Sequence, residues 1–214
     1  MVLNSGTIHR WIRAYAPRLH RLLNPFKPKL RGSIHADEVI VNVRGARGYD
    51  WGAIDKLTRY KISGPLTSTR SYRLGAAPLY EKLKDRCEGH PPRIVTDKLG
   101  HYRRAFNKYF HRTGVRMVHG VPIACRRRGL KHNNNPIERK NQRVKTRTKT
   151  RRAFKTQPSC KRFLYMLDLM HNMHNFIKAS MALNGGYPAE RASIKLPLGR
   201  DGLLSLIQIL ATGI

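Results

Sequence analysis

Ile34-His35-Ala36-Asp37-Glu38-Val39-Ile40-Val41 reads as a β-strand that carries acids near its start. Val and Ile dominate its second half, and β-branched residues suit a pleated, half-buried surface. A lone acid in so apolar a run costs several kcal/mol unless it is paired or metal-bound. Asp37 is therefore the residue to explain. Strand alternation predicts that Glu38 points to the opposite face.

Working outward, residues 34–43, 49–54 and 59–67 are strand candidates separated by Gly-containing and polar turns. Residues 71–86 predict a helix through Leu74, Leu79, Tyr80 and Leu83, closed by His90-Pro91-Pro92. Residues 93–96 form a short apolar strand ending at Asp97, followed by a helix over 101–110 and a fifth strand over 115–118. A basic loop over 121–132 holds Arg126, Arg127 and Arg128. Two long helices follow, over 136–150 and 159–182. The second carries Phe163, Met166, Leu167, Met170, Met173 and Ile177 as an apolar stripe. Upstream, residues 5–15 predict a helix capped by Ser5 or Thr7. A short turn over 19–23 and a stiff linker, Pro25-Phe26-Lys27-Pro28-Lys29, come next. This order describes an α/β sandwich around a mixed sheet.

The charge narrows the partner. The 214 residues include 43 Lys and Arg against 12 Asp and Glu, a net charge of +31. Such a chain binds polyanions by displacing their condensed counterions, which points to nucleic acid. The basic residues are spread along the chain, which argues against a membrane surface. Cys87, Cys125 and Cys160 form no Cys-x-x-Cys pair and read as reduced thiols. The longest apolar segment, 203–210, is too short to span a bilayer. A cytoplasmic, nucleoid-associated prokaryotic protein is expected.

Acids are scarce where the charge is highest. Between Asp97 and Asp168 the one carboxylate is Glu138, in a stretch holding 21 Lys and Arg. Asp37, Asp97 and Glu138 together suggest an enzyme that holds Mg²⁺ against a phosphodiester backbone. Two ions about 3.5–4 Å apart would activate the attacking oxygen and steady the departing one. Hard carboxylate oxygens suit Mg²⁺, with Mn²⁺ as a substitute. Each acid also has a structural reading. Glu138 completes an Asn135-Pro136-Ile137-Glu138 capping box, and Asp97 caps the helix near His101. His171 and His174 lack a Glu or Cys partner and read as a polar helix face.

Several phrases resemble the catalytic core of DDE-type insertion-sequence transposases, the insertion-sequence-six group and its archaeal relatives. They are His35-Ala36-Asp37-Glu38, Asp50-Trp51-Gly52-Ala53-Ile54-Asp55, Ile94-Val95-Thr96-Asp97 and Asn133-Asn134-Asn135-Pro136-Ile137-Glu138-Arg139. Asn175-Phe176-Ile177 and Met181-Ala182-Leu183-Asn184 extend the likeness, which runs over 34–194. The resemblance implies an RNase H-like, integrase-like core with a mixed five-stranded sheet flanked by helices. It implies that Asp37, Asp97 and Glu138 bind two metal ions, and that Lys145 contacts the transposon end. Two helical turns separate Glu138 from Lys145, so both lie on nearly one face.

The chain departs from that pattern at Lys178-Ala179-Ser180, where relatives carry Arg-Pro-His, and at its N-terminus. Thr7-Ile8-His9-Arg10-Trp11 resembles a recognition helix without the helices that precede it; the alternative is an amphipathic helix packed on the core. The expected organisation is a partial helix-turn-helix-like segment and linker over 1–30, a catalytic core over 31–182 and a tail over 183–214. The basic helix offers Arg139, Lys140, Arg143, Lys145 and Arg147, with Arg126, Arg127 and Arg128 upstream, as phosphate contacts on DNA.

The function implied is a transposase that cuts and joins DNA, acting on transposon ends and target as a homodimer or larger assembly. Residues 203–210 either join that assembly or pack on their own core. The competing function is a catalytically inactive, truncated remnant acting only as a polycationic DNA-binding protein.

Overall fold

The computed structural model describes residues 4–43, 45–120, 134–150 and 159–212. Five strands, β1 (Ile34–Val43), β2 (Ala46–Asp55), β3 (Lys61–Thr67), β4 (Arg93–Thr96) and β5 (Arg116–His119), pair in the order β3-β2-β1-β4-β5. β1 and β2 form an antiparallel ladder from Ile34↔Asp55 to Val43↔Ala46, and β2 pairs antiparallel with β3. β4 joins β1 in parallel through Ile34↔Ile94 and His35↔Val95, and β5 continues parallel to β4. Helices complete the expected α/β, RNase H-like architecture. They are α1 (Ser5–Leu23), α2 (Ala77–Asp85), α3 (Gly100–Tyr109), α4 (Asn135–Thr150), α5 (Ser159–Asn172), α6 (Pro188–Arg191) and α7 (Gly202–Thr212).

Alternation along β1 and β2 divides the core. Ile34, Ala36, Trp51 and Ala53 face Leu79, Tyr80, Leu83 and Tyr102 of α2 and α3. Val39 and Val41 face Val144 of α4 and Met166 and Leu167 of α5. Trp51 is wholly buried, edge-on to Tyr102 at 5.6 Å, with its Nε1 donating to Thr67 Oγ1 at 3.0 Å. A π-helical turn, Tyr72–Ala76, crosses this indole so closely that a Cβ on Gly75 would lie 2.0 Å from the ring. Glycine is the residue that fits there.

The structure corrects several boundaries. α1 is one helix containing Pro17, capped by the Asn4 side chain and not by Ser5 or Thr7. Its C-terminal half buries Ala16, Leu19 and Leu23, while Trp11 is half exposed. The last long helix stops at Asn172 and passes into a π-helical turn, Met173–Ile177, then a 3₁₀ turn, Met181–Leu183. Ala189, Ala192, Ile194 and Leu206 join the same apolar cluster as the sheet, so α7 packs against the core through Leu206. The basic loop over 121–132 lies outside the described residues. No helix among those described is long and apolar enough to cross a membrane.

Candidate metal centre

β4 pairs with β1 only as far as Val95, so beyond Ala36 the β4-side edge of β1 is open. Asp97 follows directly on β4 and reaches this opening. Asp37, Glu38 and Asp97 each offer an oxygen there, all within 4.8 Å of one another. Glu38 was expected on the opposite face. Alternation does aim it at α3, where Tyr102 Oη donates to Glu38 Oε2 at 2.6 Å. The long side chain nevertheless reaches the open edge, and its second oxygen pairs with the Arg70 guanidinium.

Further contacts fix the site. Asn141 Nδ2, on α4, donates to Asp37 Oδ2 at 2.9 Å. Asp97 Oδ1 accepts from Leu99 N–H at 2.9 Å in a turn ahead of α3, whose N-cap is Leu99 with no side-chain cap, so Asp97 does not cap the helix as read. Its Oδ2 lies 3.7 Å from Arg70 Nη2. Burial, then the like charges of Glu38 and Asp97, push the Asp37 carboxyl up to about 7. Burial also raises Glu38, against the Tyr102 hydrogen bond and Arg70. Three crowded carboxylates, two of them bridged by one half-exposed arginine, form a hard-oxygen donor set that fits a divalent cation such as Mg²⁺.

Glu138 occupies the fourth position of α4, because the helix begins at Asn135, one residue earlier than an Asn135 cap requires. The Asn134 carbonyl accepts from both Ile137 and Glu138 N–H at 3.2 Å, so the capping box is not formed as read. Glu138 is half-buried, and burial raises its carboxyl while Lys145 pulls it down, consistent with a shared helix face. Its oxygens do not join the cluster of Asp37, Glu38 and Asp97. Asn141, one turn further on, docks this face of α4 on Asp37. Arg139, Arg143 and Lys145 are exposed and Lys140 is buried. Arg126, Arg127, Arg128 and the side chain of Arg147 lie outside the described residues.

A second polar cluster escaped the sequence reading. Lys61 is 2% exposed, with Nζ 2.8 Å from His171 Nε2 and 3.7 Å from Asp50 Oδ2. Asn175 Oδ1 accepts from Lys61 N–H and its Nδ2 donates to Lys61 O, both at 2.9 Å. Gly52 makes the room: a Cβ there would meet Lys61 Cε at 3.0 Å. His171 and His174 are thus not a solvated polar face. Burial, then Lys61, holds His171 well below the usual imidazole range, and His174 Nε2 bonds the Arg59 carbonyl at 2.9 Å. The detectable signal was a lysine midway between two apolar strand residues, Tyr60 and Ile62.

Solved structures share this arrangement of strands. A chain of the simian T-cell lymphotropic virus intasome, solved in complex with PP2A regulatory subunit B56 gamma, matches with a TM-score of 0.55 at 10% identity. That match covers 81% of this chain and 60% of that one. The HTLV-2 integrase catalytic core domain in complex with magnesium, in its trimeric form, matches with a TM-score of 0.52 at 9% identity. It covers 78% of this chain and 99% of that one. The dimeric form gives 0.52 at 10% identity, covering 78% and 97%. At these identities the likeness is one of fold. No curated protein matches the sequence. Residues 31–176 match the DDE domain family (DDE_Tnp_IS240), a span of more than half the chain, and the protein belongs to that family.

Proposed function

We propose that the protein is a transposase that cleaves and joins DNA strands, with Asp37, Asp97 and Glu138 as its catalytic carboxylates and two Mg²⁺ ions between them. The observation that carries this reading is the convergence of Asp37, Glu38 and Asp97 at the open edge of β1, in a DDE-family chain of net charge +31. The bound ions would supply the acidity that activates a water or 3′-hydroxyl and the charge that stabilises the leaving oxyanion. Asn141 orients Asp37, and Tyr102 orients Glu38. Glu138 completes the set from α4, one turn before the Asn141 contact.

Arg139, Lys140, Arg143, Lys145 and Arg147, with Arg126, Arg127 and Arg128, hold strand phosphates and set the register of the DNA. Residues 31–182 act as the catalytic core, 1–30 as a partial end-recognition segment and 183–214 as a tail. The HTLV-2 core was solved with magnesium in dimeric and trimeric forms, which supports a metal-dependent enzyme working as an oligomer. The net charge of +31 supports DNA as its partner, in the cytoplasm.

Two observations favour a second reading, an inactive DNA-binding remnant: Glu138 stands outside the cluster, and Arg70 bridges two of the acids. Strand transfer separates the two. The protein is mixed with oligonucleotides copying the DNA that flanks its gene, with Mg²⁺ or Mn²⁺, beside a Glu138→Gln control. Joined products that vanish in the control establish the transposase. Binding without nicking or joining under either metal leaves the remnant.

A further inference from the structure

A concave pocket of about 430 Å³ lies between the β2–β3 turn, the first turns of α4 and residues 174–182. Its size falls in the range of roughly 300–1,000 Å³ of small-molecule sites. Arg59, Arg139, Lys140 and Arg143 line it, and no carboxylate does among the described residues. The guanidiniums of Arg59, Arg139 and Arg143 in the wall of one pocket repel one another unless an anion sits between them. The remainder of the wall is largely apolar, including Pro136 and Met181, the latter 96% exposed.

Arg59 carries the second observation. Its backbone is left-handed, with φ 59°, a conformation that costs a non-glycine residue free energy. Two bonds hold it there: Arg59 N–H donates to the Asp55 carbonyl at 2.8 Å, and the Arg59 carbonyl accepts from His174 Nε2 at 2.9 Å. The same residue buries its guanidinium Nε with no hydrogen-bond partner. Arg59 is part of the pocket wall, so a buried donor without an acceptor stands beside the cationic hollow. The pocket also lies beside the metal centre. Ile54, in its wall, pairs with His35, two residues before Asp37 and on the same face of β1. That is roughly 7 Å along the strand. Arg139 and Lys140 directly follow Glu138.

We infer that this pocket binds one phosphate of a single nucleic-acid strand, with the attached sugar and base lying against Pro136 and Met181. The inference rests on the strand-transfer reading for its choice of a strand over a free anion. Arg59 and Arg143 grip the phosphate, and the strand then runs from the pocket across α4 to the carboxylates. It adds Arg59, from the β2–β3 turn, to the basic helix as a binding group.

The test measures anisotropy of a short fluorescein-labelled oligothymidylate over a range of KCl, with inorganic phosphate titrated in parallel by thermal shift. Arg59→Gly removes the guanidinium and relieves the positive φ, so the fold is retained. Arg143→Gln tests the opposite wall, and Lys84→Gln, exposed on α2, is the control. Each pocket variant is expected to bind the oligonucleotide about five- to tenfold more weakly. Each should also flatten the salt slope by about 0.7, the value for one strand phosphate lost. The control should match the parent. Unchanged oligonucleotide affinity and slope in both pocket variants overturn the inference. Loss of inorganic-phosphate stabilisation alone overturns it too, leaving a free-anion site. Failure of the two readings stays separable. A parent that binds through Arg59 but joins no DNA sinks the transposase and not the pocket, while a parent that joins DNA with indifferent Arg59 sinks only the pocket.

Discussion

Two acidic sites share one face of the sheet, and they have been finished differently. Asp50 on β2 is 3% exposed, with Lys61 at 3.7 Å and His171 at 3.6 Å, all covered by α5. Asp37 on β1 pairs with Gly52, two residues from Asp50, yet its neighbours are two more acids. The cation beside that group, Arg70, comes from a loop and keeps 42% of its side chain exposed. A carboxylate given a buried, immovable cation is part of the scaffold. Carboxylates gathered at an open strand edge under a displaceable arginine form a place for something else to bind.

The largest effect should come from opening the closed site. Lys61→Met leaves Asp50 buried without its cation and should cost about 3–5 kcal/mol in urea unfolding. Adding Asp50→Leu should recover most of that loss. A cost below about 1 kcal/mol for Lys61→Met would show that the pair is not built as described.

The opposite sign is expected at the open site. Because the Asp37 carboxyl is raised to about 7, its contribution to stability is complete below the ordinary carboxylate range and is lost as pH rises through about 7. Asparagine cannot ionise, so Asp37→Asn should stabilise the metal-free protein at pH 8 and have little effect at pH 3. Equal effects at both pH values would mean that burial and the neighbouring acids do not raise Asp37.

Smaller is the dependence of metal binding on the proton. Mg²⁺ must displace a proton from Asp37, so its stabilisation of the fold should grow from pH 6 to pH 8. Thermal unfolding at fixed Mg²⁺ measures this directly, and a flat profile counts against Asp37 as a ligand. The least effect belongs to Arg70→Gln, which removes the competing guanidinium and should tighten Mg²⁺ binding several-fold in calorimetry. Weaker binding instead would make Arg70 a support of the site and not a placeholder.

Much of the fold was legible because apolar runs were short and cleanly punctuated. β1 and β4 were read with their observed bounds, and their parallel pairing brings Asp37 and Asp97 together as expected. Periodicity failed where a local rule was overridden. A helix over 5–15 and a separate turn over 19–23 were expected, but α1 packs against α5 and α7 and runs unbroken through Pro17. The π-helical turn at Met173–Ile177 also has no periodic signature. It brings His174 and Asn175 onto the backbone of Arg59 and Lys61. Glu38 points to the opposite face as alternation predicts, but it was missed as a donor because its long side chain reaches the edge that β4 leaves open. Lys61 was the detectable member of its cluster; its partner His171 was out of reach, since their hydrogen bond joins residues 110 apart in sequence.

The central claim is that the acids at the open edge of β1 hold a divalent cation. Calorimetric titration of Mn²⁺ at pH 8 into the parent, Asp37→Asn and Asp97→Asn tests it most directly. Saturable binding in the parent that is lost in both variants is the predicted result. No binding in the parent, or the same binding in all three proteins, would contradict it.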